Sequence, residues 1–349
     1  MSEQIIWLTP STPPDPAVLG GKGVGLVRLI GLEAPVPSAF VVTTGAYLDH
    51  IRRTGLDERL VAISSGAESV EEQARASQEI EELFLSTPLS PELADSLREA
   101  YGRYDDAPVA VRSSATAEDT AEASFAGQQE SYLWVRGGDS VVEHVAKVWA
   151  SLFTPQAIAY RVKNGVDVRE VSMAVVVQEM VESSVAGVML TLNPTTGDAS
   201  EIYVEATYGL GLGLVSGEVT PDSFGVDRVT LGFRSRAVGS KEKAYRLDPE
   251  ADEVVLRIVS EEDRAVACVT DDEALAIARM GKSVDERLGS RQDIEWALGP
   301  GEPGVRELFL LQTRPETVWS NRVATKRTHG ATPVDRILAM MQTPMRLHD

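Results

Sequence analysis

The sequence predicts an α+β fold on three observations. Helical and strand patterns mix without strict alternation, residues 46–104 read as helical, and two apolar runs at 173–181 and 185–192 suit strands buried on both faces.

Taken in order, an extended start leads to Gly20-Gly21-Lys22-Gly23-Val24-Gly25, a glycine loop opening a short helix at 26–30 that Pro35-Val36-Pro37 stops. Residues 40–44 follow as a buried strand. Within the helical stretch, Ser90-Pro91-Glu92-Leu93 pairs an N-cap serine with a first-turn proline, ahead of Leu93, Leu97, Tyr101 and Tyr104. Residues 109–111 form a short apolar strand ending at Arg112. A polar loop then runs to Gly127, and strand character resumes at 132–135; a loop that long between strands usually carries function.

Helical pattern returns from 140 to about 165, broken at Pro155, and the two core strands after it are joined by a tight turn. The second half continues with a strand at 201–205, the glycine-rich Tyr208-Gly209-Leu210-Gly211-Leu212-Gly213, and further strands to about 269. A helix near 271–288 and strands at 293–298 and 307–313 complete it. Beyond Trp319 a tail carries Asn321-Arg322-Val323-Ala324-Thr325-Lys326-Arg327 and an amphipathic pattern at 334–341. No internal repeat is visible.

Composition limits the partners. At 349 residues, 43% hydrophobic and 25% charged, the chain can bury a sizeable core. Its net charge of −20 opposes sequence-independent binding to nucleic acid or an anionic membrane, so any polyanion must be caught by a few local cations. The single cysteine, Cys268, excludes an intrachain disulfide and reads as part of an apolar core strand, Val266-Ala267-Cys268-Val269. No leader pattern and no apolar run of about 20 residues is present, and a cytoplasmic location is expected.

Four constellations suggest chemistry. Lys22 stands among glycines, where backbone N–H groups and an ammonium can approach phosphate together; Gly23 follows it, so this is no Walker A loop, and the run also suits a bare turn. Arg112-Ser113-Ser114 follows a strand, placing a guanidinium and two hydroxyls side by side, although a solvated loop arginine fits the same position. Asp293 and Glu295 share one strand face, and paired carboxylates favour a cation between them. Gln312 and Arg314 repeat the arrangement on the next strand, offering an amide oxygen and a phosphate fork, or a plain sheet-edge polar pair.

Six ordered blocks carry a resemblance. They are Gly20-Gly21-Lys22, Val111-Arg112-Ser113-Ser114-Ala115-Thr116-Ala117-Glu118-Asp119, Ser124-Phe125-Ala126-Gly127-Gln128-Gln129, Val215-Ser216-Gly217 with Thr220-Pro221-Asp222, Gln292-Asp293-Ile294-Glu295-Trp296, and Leu311-Gln312-Thr313-Arg314-Pro315. Across residues 17–319 the chain resembles the nucleotide-binding domain of phosphoenolpyruvate synthase, pyruvate phosphate dikinase and rifampicin phosphotransferase.

The resemblance implies an ATP-grasp fold, expected with lobes at 1–180 and 181–319, and the tail at 320–349 is a candidate partner-docking segment. It implies ATP and magnesium as cofactors. Lys22, Arg112 and Arg314 would contact and neutralise the phosphates, with Ser113 and Gly127 beside them and the loop 115–127 as cover. Gln178, Glu179, Met180 and Val181 would line the adenine pocket. Glu295 and Gln312, with Asp293 nearby, would hold magnesium. One position departs from the family pattern: Leu212 stands where a glutamate is usual.

The family's histidine-bearing and acceptor-binding domains do not appear in the chain, and His50, His144, His329 and His348 lack the histidine motif. The expectation is a catalytic subunit that passes the β,γ-diphosphate of ATP to a histidine on a separate subunit, as in phenylphosphate synthase, for a small acceptor such as a phenol or cresol. Pyruvate or an antibiotic remains open as acceptor. Two other readings stand: a non-catalytic nucleotide sensor acting through the tail at 322–327, and an ATP-grasp ligase producing ADP.

Overall fold

Asp15 and Pro16 open the first helix, α1 (Pro16–Gly31), well before the glycine run. The Asp15 carboxylate accepts from the Ala17 N–H, and the proline sits in the first turn, where its missing N–H has no partner to lose. The computed structural model describes residues 3–116, 130–248 and 250–319 and places the glycine run inside this helix, interrupted only at Gly20 (φ 68°). The expected loop is therefore a kinked helix, and its glycines serve close packing. A Cβ on Gly20 would lie 2.0 Å from the Ser114 carbonyl oxygen, and one on Gly25 would lie 2.2 Å from that of Thr313.

Five strands form the first sheet: β1 (Ile5–Trp7), β2 (Ala39–Val42), β3 (Val109–Ala115), β4 (Ser131–Val135) and β5 (Met173–Glu179), in the order β1-β2-β5-β3-β4 and antiparallel throughout. The helices α2 (Thr44–Thr54), α3 (Leu56–Ser64), α4 (Val70–Ser86), α5 (Pro91–Gly102), α6 (Gly138–Ala150) and α7 (Pro155–Asn164) make up the expected helical block and its return. Ser90 caps α5 as its sequence signals, accepting from the Leu93 N–H. Alternation along β5 feeds two cores, which explains its unbroken apolar run. Val175 and Val177 pack with Leu60, Ile80 and Trp149 of the helical side, while Ala174 and Val176 pack with Leu19 and Leu26 of α1.

The second sheet contains β6 (Val185–Leu190), β7 (Glu201–Tyr208), β8 (Asp222–Asp227), β9 (Phe233–Ala237), and, after a separate hairpin of β10 (Lys243–Asp248) and β11 (Glu253–Ile258), β12 (Gln292–Pro300) and β13 (Arg306–Pro315). Its order is β13-β12-β6-β7-β8-β9. Two short helices, α8 (Leu212–Val215) and α9 (Glu261–Arg264), precede α10 (Asp271–Leu288), whose Ile277, Ala278 and Val284 cover Met189, Val204, Ile294 and Trp296 on one face of the sheet. The opposite face carries Asp293 and Glu295.

Three further expectations need correction. The strands β5 and β6 are not a hairpin: they belong to different sheets, and residues 180–184 cross between them, the Met180 N–H bonding to Pro108 and the Ser184 N–H to Leu298. A short polar linker serves a hairpin and a crossing equally, so the sequence does not separate them. Arg112, Ser113 and Ser114 lie within β3 rather than after it, because β3 pairs with β5 as far as Ala115. Cys268 is buried as expected but in a loop, its N–H held by the Asp222 carboxylate.

Residues through Pro315 form one unit and Glu316 begins another, in which the Trp319 N–H bonds to the Glu316 carboxylate. Among the described residues no helix is long and apolar enough to cross a membrane. Gly127, the rest of the loop at 117–129, and the tail with His329 and His348 lie outside the described residues. His50 is buried against Trp149, and the His144 ring meets the Ser140 carbonyl.

Candidate nucleotide site

Strand alternation and cross-strand register bring the expected polar residues to one place. Glu295 pairs with Gln312 and Asp293 with Arg314, so all four point to the face opposite α10. From the first sheet, Arg112 reaches across to them with a side chain only 12% exposed. Its Nη2 donates to Glu295 Oε2 at 2.6 Å and to Gln312 Oε1 at 2.9 Å, and its Nη1 donates to the Leu311 carbonyl at 3.4 Å. One nitrogen thus marks the point on which a carboxylate and an amide oxygen converge.

Lys22 is buried, and its ammonium donates to the Ser113 carbonyl at 2.7 Å. The glycine N–H groups do not gather around it: that of Gly23 bonds to Ser114 Oγ. Arg314 donates twice to one Asp293 oxygen, at 2.8 and 2.6 Å, with its own side chain about half exposed. Burial pushes the Glu295 carboxyl up, but Arg112, Lys22 and Arg314 more than offset this and hold it below the usual carboxylate range. The three cations expected to act on phosphate therefore already act on one carboxylate.

Beside this polar cluster lies an apolar cavity of about 140 Å³ between the sheets. Gln178, Glu179, Met180 and Val181 all line it, at the crossing from β5 toward β6, and Arg112 and Glu295 stand at its polar edge. The Gln178 side chain is buried, and its Nε2 has no hydrogen-bond partner among the described residues. An unmatched buried amide costs about 1–3 kcal/mol, which a ligand acceptor would recover. The Ser113 hydroxyl is buried and unmatched in the same way.

Several wall residues were not singled out from the sequence. Leu133, Leu210, Ala297 and Leu311 line the cavity; of these Ala297 lies two residues from Glu295, and Leu311 opens the block that contains Gln312. Leu311 owes its place to a bulge: the β12–β13 register slips between Glu295 and Trp296, leaving Leu311 as an extra residue. Leu311 can then wall the cavity while Gln312, its neighbour, meets Arg112. Glu205 was also missed. It pairs with Val188, which pairs with Glu295, so it shares their face, and burial, aided by Asp293, pushes its carboxyl up.

Leu212 lines the cavity with Gly211, and no carboxylate stands at its position. Gly209 instead packs against the Tyr245 carbonyl.

Among the described residues no group of three or more His, Cys, Asp or Glu is arranged to hold a metal. The oxygens of Glu295, Gln312 and Asp293 are nevertheless the hard donors that magnesium takes. An apolar cavity ending in cations and hard oxygens suits a ligand that is a ring at one end and phosphate at the other.

Comparison with known proteins agrees. The family model described as pyruvate phosphate dikinase, AMP/ATP-binding domain matches residues 16–332. A probable phosphoenolpyruvate synthase of Methanocaldococcus jannaschii is 38% identical over 90% of this chain and 26% of its own length. The phosphoenolpyruvate synthase of Escherichia coli is 35% identical over 93% of this chain and 43% of its own. The chain thus spans less than half of either relative. Solved structures align loosely: D-alanyl-alanine synthetase A of Vibrio cholerae gives a TM-score of 0.30 at 9% identity, over 84% of this chain and 54% of that one, too low for any inference to rest on. With the match running through every block that builds the cavity and its polar edge, the chain belongs to the family of pyruvate phosphate dikinase AMP/ATP-binding domains.

Proposed function

We propose that this domain binds ATP between lobes built on its two sheets, in an ATP-grasp arrangement, and hands the β,γ-diphosphate to a histidine carried on a separate polypeptide. The observation that supports it best is the convergence of Glu295 and Gln312 on Arg112 beside the cavity lined by residues 178–181. Attack by the histidine nitrogen on the β-phosphorus forms the N–P bond. The bond from that phosphorus to the α–β bridging oxygen breaks, and AMP leaves with the oxygen.

The adenine ring occupies the apolar slot, where Gln178 meets a ring acceptor. Lys22, Arg112 and Arg314 face the phosphates, and the two arginines exchange their carboxylate partners for phosphate oxygens. Glu295, Gln312 and Asp293 would hold magnesium, which supplies charge neutralisation for the phosphate oxygens. Preorganised cations of this kind are each worth about two to three powers of ten in rate.

The eventual acceptor in this reading is a phenol or cresol, in the manner of a separate catalytic subunit. The names of the relatives, phosphoenolpyruvate synthases, favour pyruvate as a second reading. ATP labelled at the β-phosphate, with magnesium and host lysate, tests the transfer. AMP together with acid-labile label on a second polypeptide is the expected result. ADP as product would indicate a ligase, and ATP binding without transfer a sensor. Phenol, cresol and pyruvate added to the labelled partner then distinguish the acceptors.

A further inference from the structure

The hairpin β10–β11 belongs to neither sheet. Its base is fixed beside the second sheet: the Leu210 N–H bonds to the Tyr245 carbonyl, and the Tyr245 hydroxyl bonds to Glu218. Its turn reaches the edge strand of the first sheet. There Asp252 Oδ1 accepts from the Trp134 indole N–H at 2.8 Å, and Oδ2 meets Arg136 Nε at 3.2 Å. The Arg136 guanidinium also lies over the Trp134 ring, 5.4 Å from its centroid.

Trp134 reaches the hairpin at a conformational cost. Between the pairs Val109–Val135 and Val111–Tyr132, Ala110 faces both Leu133 and Trp134, a bulge of two residues against one. Trp134 sits in it at φ 62°, a region where an aromatic residue is strained, and Asp252 at φ 52° faces it. The bulge aims two neighbours in different directions. Leu133 lines the apolar cavity, whereas Trp134 lines a second, polar pocket with Arg246 and Asp263.

We propose that the hairpin is a clasp across the two sheets. Asp252, by holding Trp134 and Arg136, keeps β4, and with it Ser131 and Leu133 in the cavity wall, against the second sheet; the clasp opens for a ligand in the cavity to leave. The half exposure of Asp252 leaves the grip sensitive to salt. This rests on the ATP site proposed above only for the identity of the ligand.

The test uses the full chain in two measurements. A fluorescent ATP analogue with magnesium is chased with excess ATP, and amide hydrogen exchange is followed across residues 131–135 and 253–258 without nucleotide. Asp252→Ala should speed release about tenfold and raise exchange in both segments. Asp252→Asn, which still accepts from the indole but loses the charge, should fall between it and the parent. Asp198→Ala, which removes an exposed ion pair elsewhere, should change neither. Exchange at 131–135 unchanged in Asp252→Ala overturns the clasp whether or not ATP binds. Release unchanged in a variant that binds ATP normally also overturns it. Failure of the parent chain to bind ATP overturns the site instead and leaves the exchange comparison to decide the clasp.

Discussion

Two ion pairs among the described residues are built differently. Asp222 and Lys241, both wholly buried, form an ion pair whose carboxylate is engaged on both oxygens: Oδ1 takes the Lys241 ammonium and the Gly239 N–H, and Oδ2 the Cys268 N–H. Arg112 and Glu295 instead meet from opposite sheets, are 12% and 26% exposed, and stand at the edge of a cavity. The first pair has no geometry left in which to do anything else. The second can trade partners without leaving a charge stranded in a dry interior, which is what the proposed phosphate role would require of it.

Breaking each pair should show the contrast, and the largest effect falls on the buried one. Asp222→Ala leaves Lys241 buried and unpaired and should cost about 3–5 kcal/mol of stability, read from urea denaturation. Arg112→Ala should melt within a few degrees of the parent yet slow AMP formation about a hundred- to a thousandfold. Equal destabilisation by the two substitutions would erase the distinction.

His50 sharpens the comparison from the structural side. Burial lowers its pKa from 6.5 to about 4, so the unfolded chain takes up a proton first. Stability is then fully present above pH 6.5 and falls as pH drops toward 4, by on the order of 3 kcal/mol at the low end. Urea midpoints at pH 7 and pH 5 measure the slope, and His50→Leu should flatten it. The smallest effect belongs to Gln178, on the working side. Gln178→Leu removes an unmatched buried amide, so it should raise the stability of the ligand-free chain by up to about 1 kcal/mol while weakening ATP binding about fivefold, measured by calorimetry.

The polar edge of the site was legible because a strand's period of two is short and strict: Asp293 and Glu295, then Gln312 and Arg314, could be put on one face from spacing alone. The helix α10 was equally plain: it was expected near 271–288 and spans Asp271–Leu288, where the structure adds Thr270 as its cap. What the sequence hid is what depends on distant partners. The glycines around Lys22 look like a phosphate loop until Ser114 and Thr313 are seen pressing against them. The crossing at 180–184 looks like a hairpin until its N–H groups are traced to different sheets. Leu133 and Leu311 enter the cavity through bulges, and a bulge breaks the alternation from which a face is inferred.

Leu311 also shows where length, rather than side-chain identity, can vary. Its residue is surplus to the ladder: with it deleted, Leu310 would still face Trp296, Gln312 would still face Glu295, and Arg314 would still face Asp293. The polar end of the site would keep its phase while the slot beside it lost a wall. A one-residue deletion at this seam would therefore reshape the slot without shifting the polar residues next to it, an independence that no substitution in a regular ladder provides.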